Sequence, residues 1–150
     1  MKKNIDELKY YKKLATSPMN PTYDEIVKAN SLRGNEIKKT PLIYSSTFSD
    51  LTNSEIYLKA EFRQKTGSFK IRGAYYKIKL LSEEEKKYGV VAASAGNHAQ
   101  GVALASSIEN ISCTIVMPKN ASPAKVAATR GYGANVILEG TNYDESYSKA

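Results

Sequence analysis

Tryptophan is absent from the 150 residues, and cysteine and histidine occur once each. The single cysteine, Cys113, excludes an intrachain disulfide and with it the small secreted scaffolds that depend on such bridges, so a cytoplasmic setting is expected. The single histidine, His98, has no Ser–His–Asp or Cys–His set around it in the sequence. No cluster of ligand residues is spaced for a metal, so none is expected. No apolar run approaches the ~18 residues of a transmembrane helix, and no membrane partner is expected. The opening "MKKNIDELKYYKKLA" is basic, but it carries acids and lacks an apolar centre and a cleavage site, which argues against a signal peptide. No basic run is interleaved with aromatics in the way that grips a single strand, so nucleic acid is not an expected partner. There is no internal repeat and no low-complexity segment.

What is present is ordinary for a soluble globular chain of one-domain size: 41% hydrophobic and 25% charged residues. The net charge of +7 comes from lysines spread along the chain and mixed with acids. That pattern reads as solvated faces, and it equally serves an anionic cofactor or substrate.

"IDELKYYKKLA" begins a helix that "TSPMNP" breaks. Thr22 is placed to cap "YDEIVKANSLR", with Asp24 and Glu25 in the first turn, Arg33 in the last and Gly34 as the stop. "TPLIYSS" reads as extended, because Thr40 precedes a proline. "EIYLKAEF" (55–62) reads as a strand. Helical spacing runs from Ser68 through Ala74, Tyr75, Ile78 and Leu81, and "SEEEKKYG" is a polar connection with room for a helical turn. The second half alternates more regularly. "VVAAS" (90–94), "CTIVM" (113–117) and "NVILE" (135–139) are short apolar runs of the buried parallel type. Between them lie a helix from Asn97, with Val102, Leu104, Ala105 and Ile108 for burial, and a helix in "SPAKVAATRGYG" with Ser122 as cap and Pro123 first. "NYDESYSKA" begins another helix. The alternation predicts an α/β fold with an open, mostly parallel sheet and flanking helices. Ligands of such sheets bind beyond the carboxyl ends of the strands, which directs attention to the turn after 90–94.

That turn is "SAGNHAQG", Ser94 to Gly101. Its small residues let a backbone approach a ligand, and it opens a helix whose first N–H groups favour an anion. The same residues also read as an ordinary helix start, with Asn97 as cap and Gly96 and Gly101 for packing. Cys113, in a buried strand, reads as packing. A second stretch, "TGSFKIRGA" (66–74), sets Lys70 between Phe69 and Ile71, with Gly67 and Gly73 on either side. A lysine desolvated near other cations such as Arg72 gives up its proton and becomes an amine able to form a Schiff base. A lysine on the surface of a helix is the plain alternative.

Together, "QKTGSFKIRGA" (64–74) and "SAGNHAQGVA" (94–103) resemble the pyridoxal-phosphate-dependent threonine dehydratases, also called threonine ammonia-lyases, of the tryptophan-synthase-beta-like fold. "TPL" (40–42), "LKAEF" (58–62), "VMP" (116–118) and "GAN" (133–135) follow in the family's order, so the resemblance covers most of the chain from about Thr22. "IRGA" after the lysine is similar to the dehydratase and serine-racemase branch rather than to cysteine or threonine synthases. The resemblance implies pyridoxal 5'-phosphate as cofactor and Lys70 as the Schiff-base lysine. It implies Phe69 beside the cofactor ring and Asn97 on its ring oxygen. The substrate carboxylate would lie on the loop Ser94, Ala95, Gly96, Asn97 and His98. It implies that L-threonine or L-serine takes the place of Lys70, whose freed amine removes the α-proton. The β-hydroxyl then leaves with the cofactor phosphate as acid, and a 2-oxo acid and ammonia are released. Ala95 stands where serine racemases carry a second, acid/base serine, which favours elimination.

The family is about twice this long or longer, and its glycine-rich phosphate loop has no counterpart here. An N-terminal fragment is therefore expected: 1–85 as the start of the larger cofactor-binding lobe and 86–150 as most of the smaller α/β lobe, catalytically incomplete alone. A homo-oligomer is expected at full length, with isoleucine biosynthesis or catabolism as the setting. A serine racemase or serine dehydratase is the alternative within this chemistry, and a non-catalytic remnant of the fold the alternative outside it.

Overall fold

In the computed structural model, which describes residues 21–150, the first helix is α1, Tyr23–Leu32. The helix expected within residues 5–15 lies outside the described residues. Thr22 caps α1 as expected. Its hydroxyl accepts from Glu25 N at 3.3 Å, and the Glu25 carboxylate accepts from Thr22 N at 2.7 Å and from the Thr22 hydroxyl at 2.9 Å, closing a capping box. No residue of α1 is buried. Residues 32–150 form one compact unit, to which both sheets belong.

Strands β1 (Leu42–Tyr44) and β2 (Tyr57–Lys59) form an antiparallel ribbon with Ile43 opposite Leu58. The connection between them holds α2, Ser46–Thr52, where the sequence read only extended chain and loop. Ser45 explains the difference. Extended itself, it turns its hydroxyl to accept from Phe48 N at 3.4 Å, and Asn53 ends the helix in the left-handed region at φ 49. The strand expected over 55–62 is only three residues long. After the buried Ala60 the chain turns through a 3-10 segment, Glu61–Arg63, that aims Glu61 back toward the body of the protein.

Helix α3, Lys70–Lys79, buries Ile71, Ala74, Tyr75 and Ile78, the stripe its spacing predicts. The polar connection is a short helix, α4 (Glu83–Tyr88), closed by a capping box between Ser82 and Glu85. Gly89 ends it at φ 77, where a Cβ would stand 2.7 Å from the Ser112 carbonyl oxygen, so only glycine fits. The parallel sheet then runs in chain order: β3 (Val90–Ala93), β4 (Cys113–Met117) and β5 (Asn135–Leu138), with Ala92 beside Ile115 and Ile115 beside Val136. Its crossovers are α5 (Asn97–Ile108) and α6 (Pro123–Gly131), and α7 (Tyr143–Lys149) comes after β5. The predicted α/β organisation is thus present, and the three parallel strands match to within one residue; of the three only the central strand, β4, is buried as expected, while β3 and β5 keep exposed positions.

Cys113, Ile115 and Met117 alternate into one core with Val102 and Ala105 of α5, Val126 of α6 and the buried stripe of α3. Helix α5 touches the sheet, α6 and α3. It therefore buries small residues on several sides, Ala99, Gly101, Ala103, Ala105 and Ser106 among them, which lets α3 come close. Among the described residues no helix is long and apolar enough to cross a membrane.

Candidate active site

The two stretches singled out in the sequence meet because of one missing methyl group. Gly101, on the second turn of α5, lies directly on the peptide that joins Lys70 to Ile71. A Cβ there would stand 3.1 Å from Ile71 N and from the Lys70 carbonyl carbon, and 3.2 Å from the Lys70 carbonyl oxygen. These are backbone atoms inside a packed helix pair and have little room to retreat. Asn97 lies four residues before Gly101, about 6 Å along the helix. The loop that opens α5 and the lysine that opens α3 are therefore neighbours.

Lys70 is exposed, where partial burial was expected. Ile71 turns inward and is fully buried, whereas Phe69 is 58% exposed and stays beside the lysine, with its ring centroid 5.2 Å from Nζ. Nζ has no hydrogen-bond or ion-pair partner among the described residues. Gly67, at φ 67, and Gly73 have open space where side chains would be. Arg72 does not accompany Lys70: its guanidinium is engaged by Glu61.

In the loop after β3, Ser94 takes the capping role that the sequence offered to Asn97. The Ser94 hydroxyl accepts from Gly96 N at 3.3 Å and from Ala99 N at 3.2 Å. Gly96 occupies the cap position with no side-chain bond, and Asn97 is the first helical residue. The Asn97 side chain is exposed and free of a capping duty. Among the described residues the N–H groups of Ala95, Asn97 and His98 find no acceptor. These donors sit at the positive end of a twelve-residue helix. The His98 imidazole is held below the ordinary histidine range, first by desolvation of its ring and then by the positive charge of Lys70, so the two motifs feel each other electrostatically. Burial pushes the Cys113 thiol up, in keeping with a packing role.

One residue escaped the sequence reading. The Lys125 ammonium lies 3.7 Å from where a Cβ on Gly96 would be, and it has no ion-pair partner among the described residues. Its signal was available: a lysine in the first turn of α6 stands at the positive end of the helix, where a cation is disfavoured.

Residues 34–150 match the family model described as pyridoxal-phosphate dependent enzyme. The chain is 59% identical over 129 residues to an L-threonine ammonia-lyase of Thermotoga maritima, which covers 86% of this chain and 32% of that protein. Among solved structures it is similar to the processed form of threonine deaminase isoform 2 from Solanum lycopersicum, at 37% identity and TM-score 0.76, covering 89% of this chain and 38% of that one. It is also similar to a serine racemase from Dictyostelium discoideum, at 40% identity and TM-score 0.79, covering 85% of this chain and 42% of that one. The chain spans about a third of the length of the curated relatives it matches.

Proposed function

This chain belongs to the family of pyridoxal-phosphate dependent enzymes, and from that premise we propose that it is the lysine-bearing part of a lyase converting L-threonine, and L-serine, to a 2-oxo acid and ammonia. The residues suit the cofactor on observations of this structure. A primary amine, Lys70, stands exposed and unpaired for an aldehyde, with Phe69 beside it for a flat ring. The Asn97 amide, free of a capping duty, suits the ring oxygen. When bound, the cofactor supplies an electron sink for the carbanion left by loss of the α-proton.

The remaining work falls to this chain's own groups. The Lys70 amine anchors the cofactor and, once substrate has taken its place, Nζ takes the α-proton. The N–H groups of Ala95, Asn97 and His98, with the Ser94 hydroxyl, hold the substrate carboxylate at the start of α5. Lys70 disfavours a second positive charge on His98 beside that loop. Ala95 offers no acid or base on the far side of the substrate, which favours elimination over racemisation. The observation that carries the reading is the seat of Gly101 on the Lys70–Ile71 peptide, because it joins amine and anion loop in one place.

Within the complete protein we assign residues 1–85 to the start of the larger lobe and 86–150 to most of the smaller one, in a cytoplasmic homo-oligomer. Product analysis tests the reaction: 2-oxobutanoate from L-threonine is expected. D-serine from L-serine without 2-oxobutanoate would transfer the protein to the racemases, and no product with either amino acid would leave the remnant.

A further inference from the structure

We propose that the Glu61–Arg72 ion pair is a positioning device for the Lys70 amine: it fixes the first turn of α3 from the side. The inference rests on the reading of Lys70 as the cofactor lysine.

Helix α3 starts poorly. Its cap residue, Phe69, makes no side-chain cap bond, and its first turn has no acid. The Lys70 N–H has only a 3.4 Å contact to the Ser68 hydroxyl. The helix is held from the side instead. Arg72 Nε donates to Glu61 Oε2 at 2.8 Å and a terminal nitrogen donates to Oε1 at 2.7 Å, a two-pronged pair. The same terminal nitrogen reaches the Lys38 carbonyl at 3.1 Å and the Thr40 hydroxyl at 3.3 Å. The Thr40 hydroxyl donates to Glu61, and Lys59 Nζ donates to the Thr40 carbonyl. Gln64 grips Lys38 twice, accepting from its N–H at 3.0 Å and donating to its carbonyl at 2.9 Å. The network thus ties the approach to β1, the end of β2 and the 3-10 turn to α3, two residues after the amine.

The Glu61–Arg72 pair is neutral in itself, with the Lys59 ammonium beside it. The Arg72 bond, opposed by burial and helped by Thr40, holds the Glu61 carboxyl below its usual range. Glu61 raises Arg72 in return. Residues two apart on a helix point about 200° apart, so Arg72 and Lys70 face different sides. The charged and titratable groups near this end of α3 are Lys59 of β2, beside Glu61, and His98 of α5, beside Lys70. Because Arg72 faces away from Lys70, removing either member acts on the amine by loosening the first turn of α3, whichever charge is lost.

The test uses the complete protein with pyridoxal phosphate, trapping the lysine adduct with borohydride across a pH series and mapping it. Adduct formation needs the unprotonated amine. In Glu61→Gln and in Arg72→Gln the first turn of α3 loses its side link, so adduct formation slows several-fold while the pH of half-maximal trapping stays. The double variant slows no further than either single one, because the two side chains form one link. Arg72→Lys keeps the charge but loses the fork, so the half-maximal pH stays and adduct formation slows several-fold. An unchanged rate of adduct formation in both single variants, or a moved half-maximal pH at an unchanged rate, overturns the proposal while leaving Lys70 as the cofactor lysine. Absence of any adduct at Lys70 in the parent protein removes that reading and this one with it.

Discussion

The two sheets of this chain are built from similarly apolar strands, but only the parallel one has a buried central strand. All six residues of the β1–β2 ribbon are exposed, with Leu42 at 64%, whereas Ile115 and Met117 at the middle and end of β4 are fully buried. The parallel sheet owes this to its connections. Each crossover is a helix that returns across the strands just made, so the core closes within a short stretch of chain. The ribbon is joined by α2, and among the described residues nothing covers Leu42, Tyr44 or Tyr57. Lys70 lies between these two regimes. Its helix is packed on α5 along one side, and Arg72 links it to the segments flanking the ribbon through Lys38 and Glu61.

That contrast breaks first at the centre of the sheet. Ile115→Ala is expected to cost about 2–5 kcal/mol in urea unfolding, because the packed layers cannot collapse around the void. Gly101→Ala comes next. The added methyl group pushes on the Lys70 peptide, with about 1–3 kcal/mol lost to overpacking and a clear fall in borohydride-trapped adduct. A fall in stability with trapping unchanged would separate the helix contact from the amine.

The third effect is a pH dependence. Glu61 is held low in the folded state, so its contribution is fully present above the unfolded carboxylate value of about 4.3 and is lost as pH falls through the lower folded value. The urea-midpoint difference between parent and Glu61→Gln is therefore expected to be clear at neutral pH and to shrink in acid. The smallest effect belongs to the ribbon: Leu42→Ala is expected to change unfolding stability by no more than about 0.5 kcal/mol, since that side chain stays in water. A loss as large as that of Ile115→Ala would show that the ribbon is covered after all.

The same contrast governs what could be read from the sequence. The strands at 90–94, 113–117 and 135–139 announced themselves as short apolar runs whose neighbours in sequence are neighbours in space, although only β4 is buried on both faces and Val91 of β3 and Ile137 of β5 stay exposed. The stripe of α3 was legible for the same reason. The ribbon half depends on partners far along the chain. Strand β2 ends early because Glu61 is claimed by Arg72, eleven residues away, and α2 hides behind a serine cap that resembles loop composition. At the site, residue types were readable but directions were not. Lys70 proved exposed, Ser94 took the cap from Asn97, and Arg72 turned to an acid, each decided by a hydrogen bond or a packing contact that periodicity does not record. Lys125 reached the loop from a helix two elements later.

The most direct measurement is to incubate the complete protein with pyridoxal phosphate, reduce it with borohydride and map the modified residue, with Lys70→Ala alongside. A single modified lysine at position 70, together with loss of both label and 2-oxobutanoate formation in the alanine variant, is the expected result. Label on another lysine, or unchanged threonine turnover without the Lys70 amine, would contradict the assignment.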